Sequence, residues 1–116
     1  MNSPKAKELL KKVVVDIEAD VSIESIGEQL SEIRKIALQL DDPLVVKTLR
    51  ITKEKIEEDE SLDFDIELEI PEEDLEEYEE PSNHLSYLLN LIVDSENKYN
   101  REEIKWYRTA IWDEMY

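Results

Sequence analysis

The sequence contains no cysteine, which excludes a disulfide framework, a thiolate metal site and a cysteine nucleophile. Glycine occurs once, at Gly27, so neither a glycine-rich phosphate loop nor a dinucleotide fingerprint can be built, and flexible linkers have little material. Histidine also occurs once, at His84, which removes paired-histidine zinc sites. Its place just after a helix start predicts a surface or half-buried side chain. There is no serine elbow. No apolar run approaches the roughly 18 residues that span a bilayer, and Met1 to Glu8 lacks the apolar core of a signal peptide. These absences lead us to expect a cytoplasmic chain that is not an enzyme and uses no cofactor.

Asp63, Asp65, Glu67, Glu69 and Asp74 resemble a calcium loop in their alternate oxygen ligands. The pattern departs from such a loop at decisive points. Its sixth position is Leu68 instead of glycine, Pro71 interrupts it, and its twelfth residue is Asp74 instead of glutamate. No metal is expected.

What the chain does have is negative charge in one place. Fifteen of its 31 acidic residues, and none of its 14 lysines and arginines, lie between Glu57 and Glu80. Almost all of the formal net charge of -17 therefore belongs to about one fifth of the chain. The remainder is nearly neutral and rich enough in apolar residues to fold, and a length of 116 residues suits a single domain over residues 1–116.

Helical spacing organises most of that remainder. Ser3 and Pro4 open a first segment with Ala6, Leu9, Leu10, Val13, Val14 and Ile17 on one face, which predicts a helix from 4 to about 19. Val13, Val15, Ile17, Ala19, Val21 and Ile23 also alternate with polar residues, so residues 13–23 fit a strand as well. Ile23, Ile26, Leu30, Ile33, Ala37 and Leu40 form a single helical seam, with Ser25 and Glu28 as a capping box. Asp42 and Pro43 start a third helix, with Val45, Val46, Leu49 and Ile56 opposite Lys47, Arg50, Lys53 and Lys55. Pro81 and Ser82 restart a helix bearing Leu85, Leu88, Leu89 and Ile92, and Asn100 with Glu103 caps a last one bearing Ile104, Tyr107, Ile111 and Met115.

Between the third and fourth helices the period changes. Leu62, Phe64, Ile66, Leu68 and Ile70 alternate strictly with Asp63, Asp65, Glu67 and Glu69, the pattern of a strand with one oily and one anionic face. Pro71 ends it, and the stretch from Glu72 to Glu80 follows as a short acidic helix or solvated loop. The expected fold is mainly α, a compact bundle of four to five helices with a short acidic β-strand or hairpin inserted around residues 62–70.

The function expected from this pattern is that of a small acidic protein that neutralises or inhibits a basic partner protein, of the immunity, antitoxin or nucleic-acid-mimic type. Carboxylates along a strand would stand about 6 to 7 Å apart, and such a row repels itself unless positive charge faces it. The row is Asp63, Asp65, Glu67 and Glu69, and the expected partner-binding set continues past Pro71 with Glu72, Glu73, Asp74 and Glu76. Direct nucleic-acid binding and attachment to an anionic membrane are both opposed by the charge.

The facing charge can instead be internal, since Lys5, Lys7, Lys11 and Lys12 cluster on the first helix and Lys47, Arg50, Lys53 and Lys55 on the third. In that case the tract is a clamp. A second surface is the aromatic C-terminus, where Trp106 and Trp112 stand six residues apart and cannot both face one neighbour. The segment reads first as a helix packed deep in the core, and alternatively as a partner interface or a homodimer. The alternative function is therefore a structural or adaptor protein that assembles through its helical seams and this helix, with the acids serving solubility.

Overall fold

The computed structural model describes residues 1–116 and contains five α-helices, each opened by a short polar side chain that takes up a free amide. Ser3 accepts from the Ala6 amide at 3.2 Å and Pro4 begins α1 (Pro4–Glu18). Ser22 caps α2 (Ile23–Gln39) through the Ser25 amide, taking the place expected for Ser25 and Glu28. Asp42 caps α3 (Pro43–Asp59), Asn83 caps α4 (His84–Val93) and Asn97 caps α5 (Lys98–Met115). The last helix starts earlier than its apolar spacing suggests. Asn100 is already inside it and donates to the carbonyls of Leu91, in the last turn of α4, and of Asp94, just beyond it.

Scarcity of glycine is visible at the helix ends. Asp20, Asp41 and Glu60 adopt φ of 57°, 54° and 51° to reverse the chain after α1, α2 and α3, the left-handed region that glycine usually fills. The one glycine serves packing instead. A Cβ on Gly27 would meet the Lys53 Cε at 3.3 Å, so its absence admits the Lys53 stem between α2 and α3.

The two readings of residues 13–23 resolve in favour of helix as far as Glu18. Ala6, Leu10, Val13 and Ile17 are buried, whereas Val15, which a strand would have buried with them, is 63% exposed. In space the helices form a ring in the order α1, α2, α3, α5, α4, with α4 closing back on α1. A core of 25 buried apolar residues fills it, and the radius of gyration is 13.3 Å, as expected of a compact chain this long. The Met1 ammonium bonds the Ile92 and Val93 carbonyls at 2.9 and 2.6 Å and pairs with Glu96, closing the C-terminus of α4.

No strand or hairpin forms at residues 62–70. Strand pairing needs a second backbone at about 4.8 Å, and a bundle of helices offers no sheet edge. The alternation survives without the pairing. Phe64 and Ile66 are buried, Leu62, Leu68 and Ile70 are half-buried, and Asp63, Asp65, Glu67 and Glu69 all face solvent.

One ion pair ties α3 to α5 at its N-terminus. Arg101 grips Asp42 with both terminal nitrogens, at 3.0 and 3.1 Å. Burial works against the Asp42 charge, but hydrogen bonds from Arg101 and the Val45 amide outweigh it and hold its carboxyl below the usual range. A carboxyl depressed on folding stabilises fully above its unfolded value, about 3.9, and loses that contribution as pH falls through the folded value. Asp42→Asn retains a capping side chain, so urea unfolding at pH 7 is expected to report the charge alone, about 1 to 2 kcal/mol. The difference from wild type should shrink at pH 3; a pH-independent gap would mean that the cap, not the charge, had been lost.

Candidate partner-binding face

The ring order explains where the acidic tract runs. Helices α3 and α4 are consecutive in the chain but α5 lies between them in space, so residues 60–83 must cross α5. From Glu67 to Tyr78 they run antiparallel to it. Glu67 and Glu69 share a cleft with Trp106, Thr109, Ala110 and Asp113, and further along Pro71, Asp74 and Tyr78 share one with Tyr99, Glu103 and Trp106.

Both ends of the crossing are fastened. At the start, Lys55 is buried to 1% exposure, with its ammonium bonded to Asp59 at 2.8 Å and Glu114 at 2.7 Å and lying 5.3 Å from the Phe64 ring centre. Burial opposes that charge, yet the two carboxylates raise the ammonium above its ordinary range. This corrects the placing of Lys55 on an exposed basic stripe. Helix α3 packs against both α2 and α5, so its buried arc is wider than one seam and takes in Thr48, Thr52 and Lys55.

At the far end His84 is half-buried, as expected from its position. Its Nδ1 lies 2.6 Å from the hydroxyl of the buried Tyr107 and its Nε2 3.3 Å from Glu80. A neutral ring protonated at Nε2 satisfies both contacts, donating to Glu80 and accepting from Tyr107. Burial pushes the Tyr107 hydroxyl well up, which keeps it a donor.

Between these anchors the carboxylates are unmatched. Of the fifteen acids from Glu57 to Glu80, only Asp59 and Glu80 pair with a basic side chain. Of the basic residues on α1 and α3, Lys7 pairs with Asp94 and Glu96, Lys12 with Asp16, and Arg50 with Glu54, while Lys5, Lys11 and Lys53 pair with no acid of the tract. Lys47 sits 4.0 Å over the Trp112 ring. The internal clamp therefore does not form beyond Asp59, and Asp63, Asp65, Glu67 and Glu69 project from a backbone whose apolar residues are packed down.

Their row is not perfectly regular. The Asp65 amide bonds the Asp63 carbonyl at 2.8 Å, a three-residue turn at Phe64 that draws these two acids off the line of Glu67 and Glu69. Asp63 and Asp65 lie beside Glu80 and His84 instead. Glu72, Glu73 and Asp74 form a single turn of 3₁₀-helix, and Glu76 is exposed beyond it.

The two tryptophans separate. Trp106 joins the acidic face and is half-buried, whereas Trp112 turns toward α3, stacked on Tyr116 at 4.3 Å under Lys47, with the Tyr116 hydroxyl on Glu54. Tyr99, Glu102 and Glu103 also belong to the acidic face. Sequence spacing could not nominate them, because only the crossing over α5 brings them beside Asp74 and Tyr78. No helix is long and apolar enough to cross a membrane. No family model, curated protein or solved structure matches the chain.

Proposed function

We propose that this chain is a small anionic binding protein that covers a basic surface on another protein, in the manner of an immunity protein, an antitoxin or a nucleic-acid mimic. The observation that carries this reading is a tract pinned at both ends whose intervening carboxylates have no internal counter-charge. Holding like charges in place raises the free energy of the folded chain, and a cationic surface relieves it. Pre-organisation on packed apolar residues also spares a partner the cost of ordering the segment. An anionic face of this kind accelerates encounter with a basic protein and disfavours nucleic acid and anionic membranes.

The adaptor reading is less well served. Ile26, Leu30, Ile33 and Ala37 of the α2 seam and Ile104, Tyr107 and Ile111 of α5 are consumed in the chain's own core, and the large apolar residues left exposed, Val15, Leu38, Leu40, Leu75, Tyr99, Trp112 and Tyr116, are divided among α1, the end of α2, the acidic tract and α5. Trp112, 38% exposed, is the least exposed of these and already stacks on Tyr116 beneath Lys47.

Salt separates external from internal neutralisation. Raising ionic strength from 50 to 300 mM shortens the screening length from about 14 to 6 Å. Partners captured from the native host by the immobilised chain are expected to be basic and to be released over this range. The melting temperature of the free chain should rise by a few degrees as the ridge is screened. Capture indifferent to salt, or a melting temperature that falls with it, would count against the proposal.

A further inference from the structure

Where the tract crosses the N-terminal half of α5 it leaves an open groove of about 580 Å³ walled by three rings, Tyr78, Tyr99 and Trp106. None of the three pairs with another ring. Asp74, Glu77 and Glu103 line the same groove. Glu103 accepts from the Tyr87 hydroxyl at 2.6 Å through one oxygen, leaving the other for a second donor. Burial raises the Tyr78 hydroxyl, and the charges of Glu80 and Glu103 push it further in the same direction.

Such a groove is built for a cation. Indole and phenol faces attract positive charge through the ring quadrupole, and surrounding carboxylates add charge-assisted hydrogen bonds. The chain fills this kind of site itself elsewhere, with Lys47 on the face of Trp112. At Trp106 no cation of its own does so. Nearby Lys98 lies 5.2 Å over the solvent-facing Tyr99 and Lys105 pairs with Glu102 at the rim.

We infer that this groove takes an arginine side chain projecting from the basic partner, its guanidinium flat on Trp106 and its nitrogens on the carboxylates of Asp74 and Glu103. This rests on the function proposed above and specifies its anchor. Arginine is favoured because its planar fork stacks and donates at once. Lysine stacks poorly, and a trimethylated ammonium has no N–H to give the carboxylates. A second copy of the chain, at a net charge of -17, is repelled.

Blocked hexa-arginine and hexa-lysine peptides, titrated into the full chain by calorimetry at several salt concentrations, test the assignment. Hexa-arginine is expected to bind more tightly than hexa-lysine. Trp106→Leu, which keeps apolar bulk without the ring face, should cost it roughly fivefold to tenfold with the salt dependence unchanged. Tyr99→Ala, at a 70% exposed position where the fold is not at stake, should weaken it by a smaller factor. Salt-sensitive binding that neither variant alters, or equal affinity for the two peptides, overturns the groove while leaving the anionic face standing. Absence of binding to either peptide at low salt removes both.

Discussion

Neutralising the ridge is expected to abolish binding and spare the fold. In the quadruple variant Asp63→Asn, Asp65→Asn, Glu67→Gln and Glu69→Gln, affinity for a basic partner should fall roughly 100-fold, on the order of 0.7 kcal/mol for each solvent-rimmed ion pair. None of the four carboxylates pairs within the chain, and all four are exposed. Their removal therefore deletes no internal contact and relieves mutual repulsion, so the melting temperature should hold or rise by about 2 to 4 °C.

The control is an equal charge change elsewhere. Glu8, Glu18, Glu24 and Glu28 are exposed on α1 and α2, and their conversion to glutamine should slow association slightly while leaving the complex intact. Equal losses in the two variants would show that net charge, not the ridge, attracts the partner. Unfolding of the ridge variant would show that those acids serve the fold.

The second large effect concerns Lys55 and is one of order rather than size alone. Asp59→Ala with Glu114→Ala strands an ammonium that is 1% exposed, a loss of about 3 to 5 kcal/mol. Lys55→Met keeps the buried stem and removes the charge. Asp59 and Glu114 are 40% and 44% exposed, so they can turn to water, and this variant should lose less than about 1.5 kcal/mol.

The pH dependence should also invert. In wild type the Lys55 ammonium is raised on folding, so its contribution is complete below the unfolded value, about 10.4, and fades only as pH climbs through the folded one. In the double variant burial acts alone and depresses the ammonium, so stability should increase with pH as the lysine sheds its proton. Denaturant unfolding from pH 6 to 10 should therefore show a Lys55 contribution that is flat in wild type and rises with pH in the double variant. A Lys55→Met variant as unstable as the double alanine variant would refute the account.

Much of the bundle is legible from residue order, because each helix is locally consistent. Ser3 with Pro4 and Asp42 with Pro43 are start signals whose chemistry acts within four residues, and both open helices where expected. Ile26, Leu30, Ile33 and Ala37 of the α2 seam and the Leu85, Leu88, Leu89, Ile92 stripe of α4 are buried as their spacing requires, while Ile23 is half-buried and Leu40, just past the end of α2, is exposed. The spacing points to Asn100 whereas Asn97 caps α5, since both are good caps and only the tertiary contact with α4 decides between them.

The acidic tract illustrates the boundary between the two kinds of information. Period-two alternation determined which side chains from Leu62 to Ile70 turn inward, because opposite faces of an extended chain are fixed by covalent geometry. It could not determine whether that chain pairs as a strand, since pairing depends on a neighbour the segment does not carry, and the bundle provides none. Nor could it say that Trp106 belongs with the acids and Trp112 with Lys47. Composition and local spacing by themselves set the helices, their inward faces and the site of the negative charge. The ring order of helices, which forces residues 60–83 across α5, decided the rest, because contacts between residues far apart in the chain depend on how whole elements share one core.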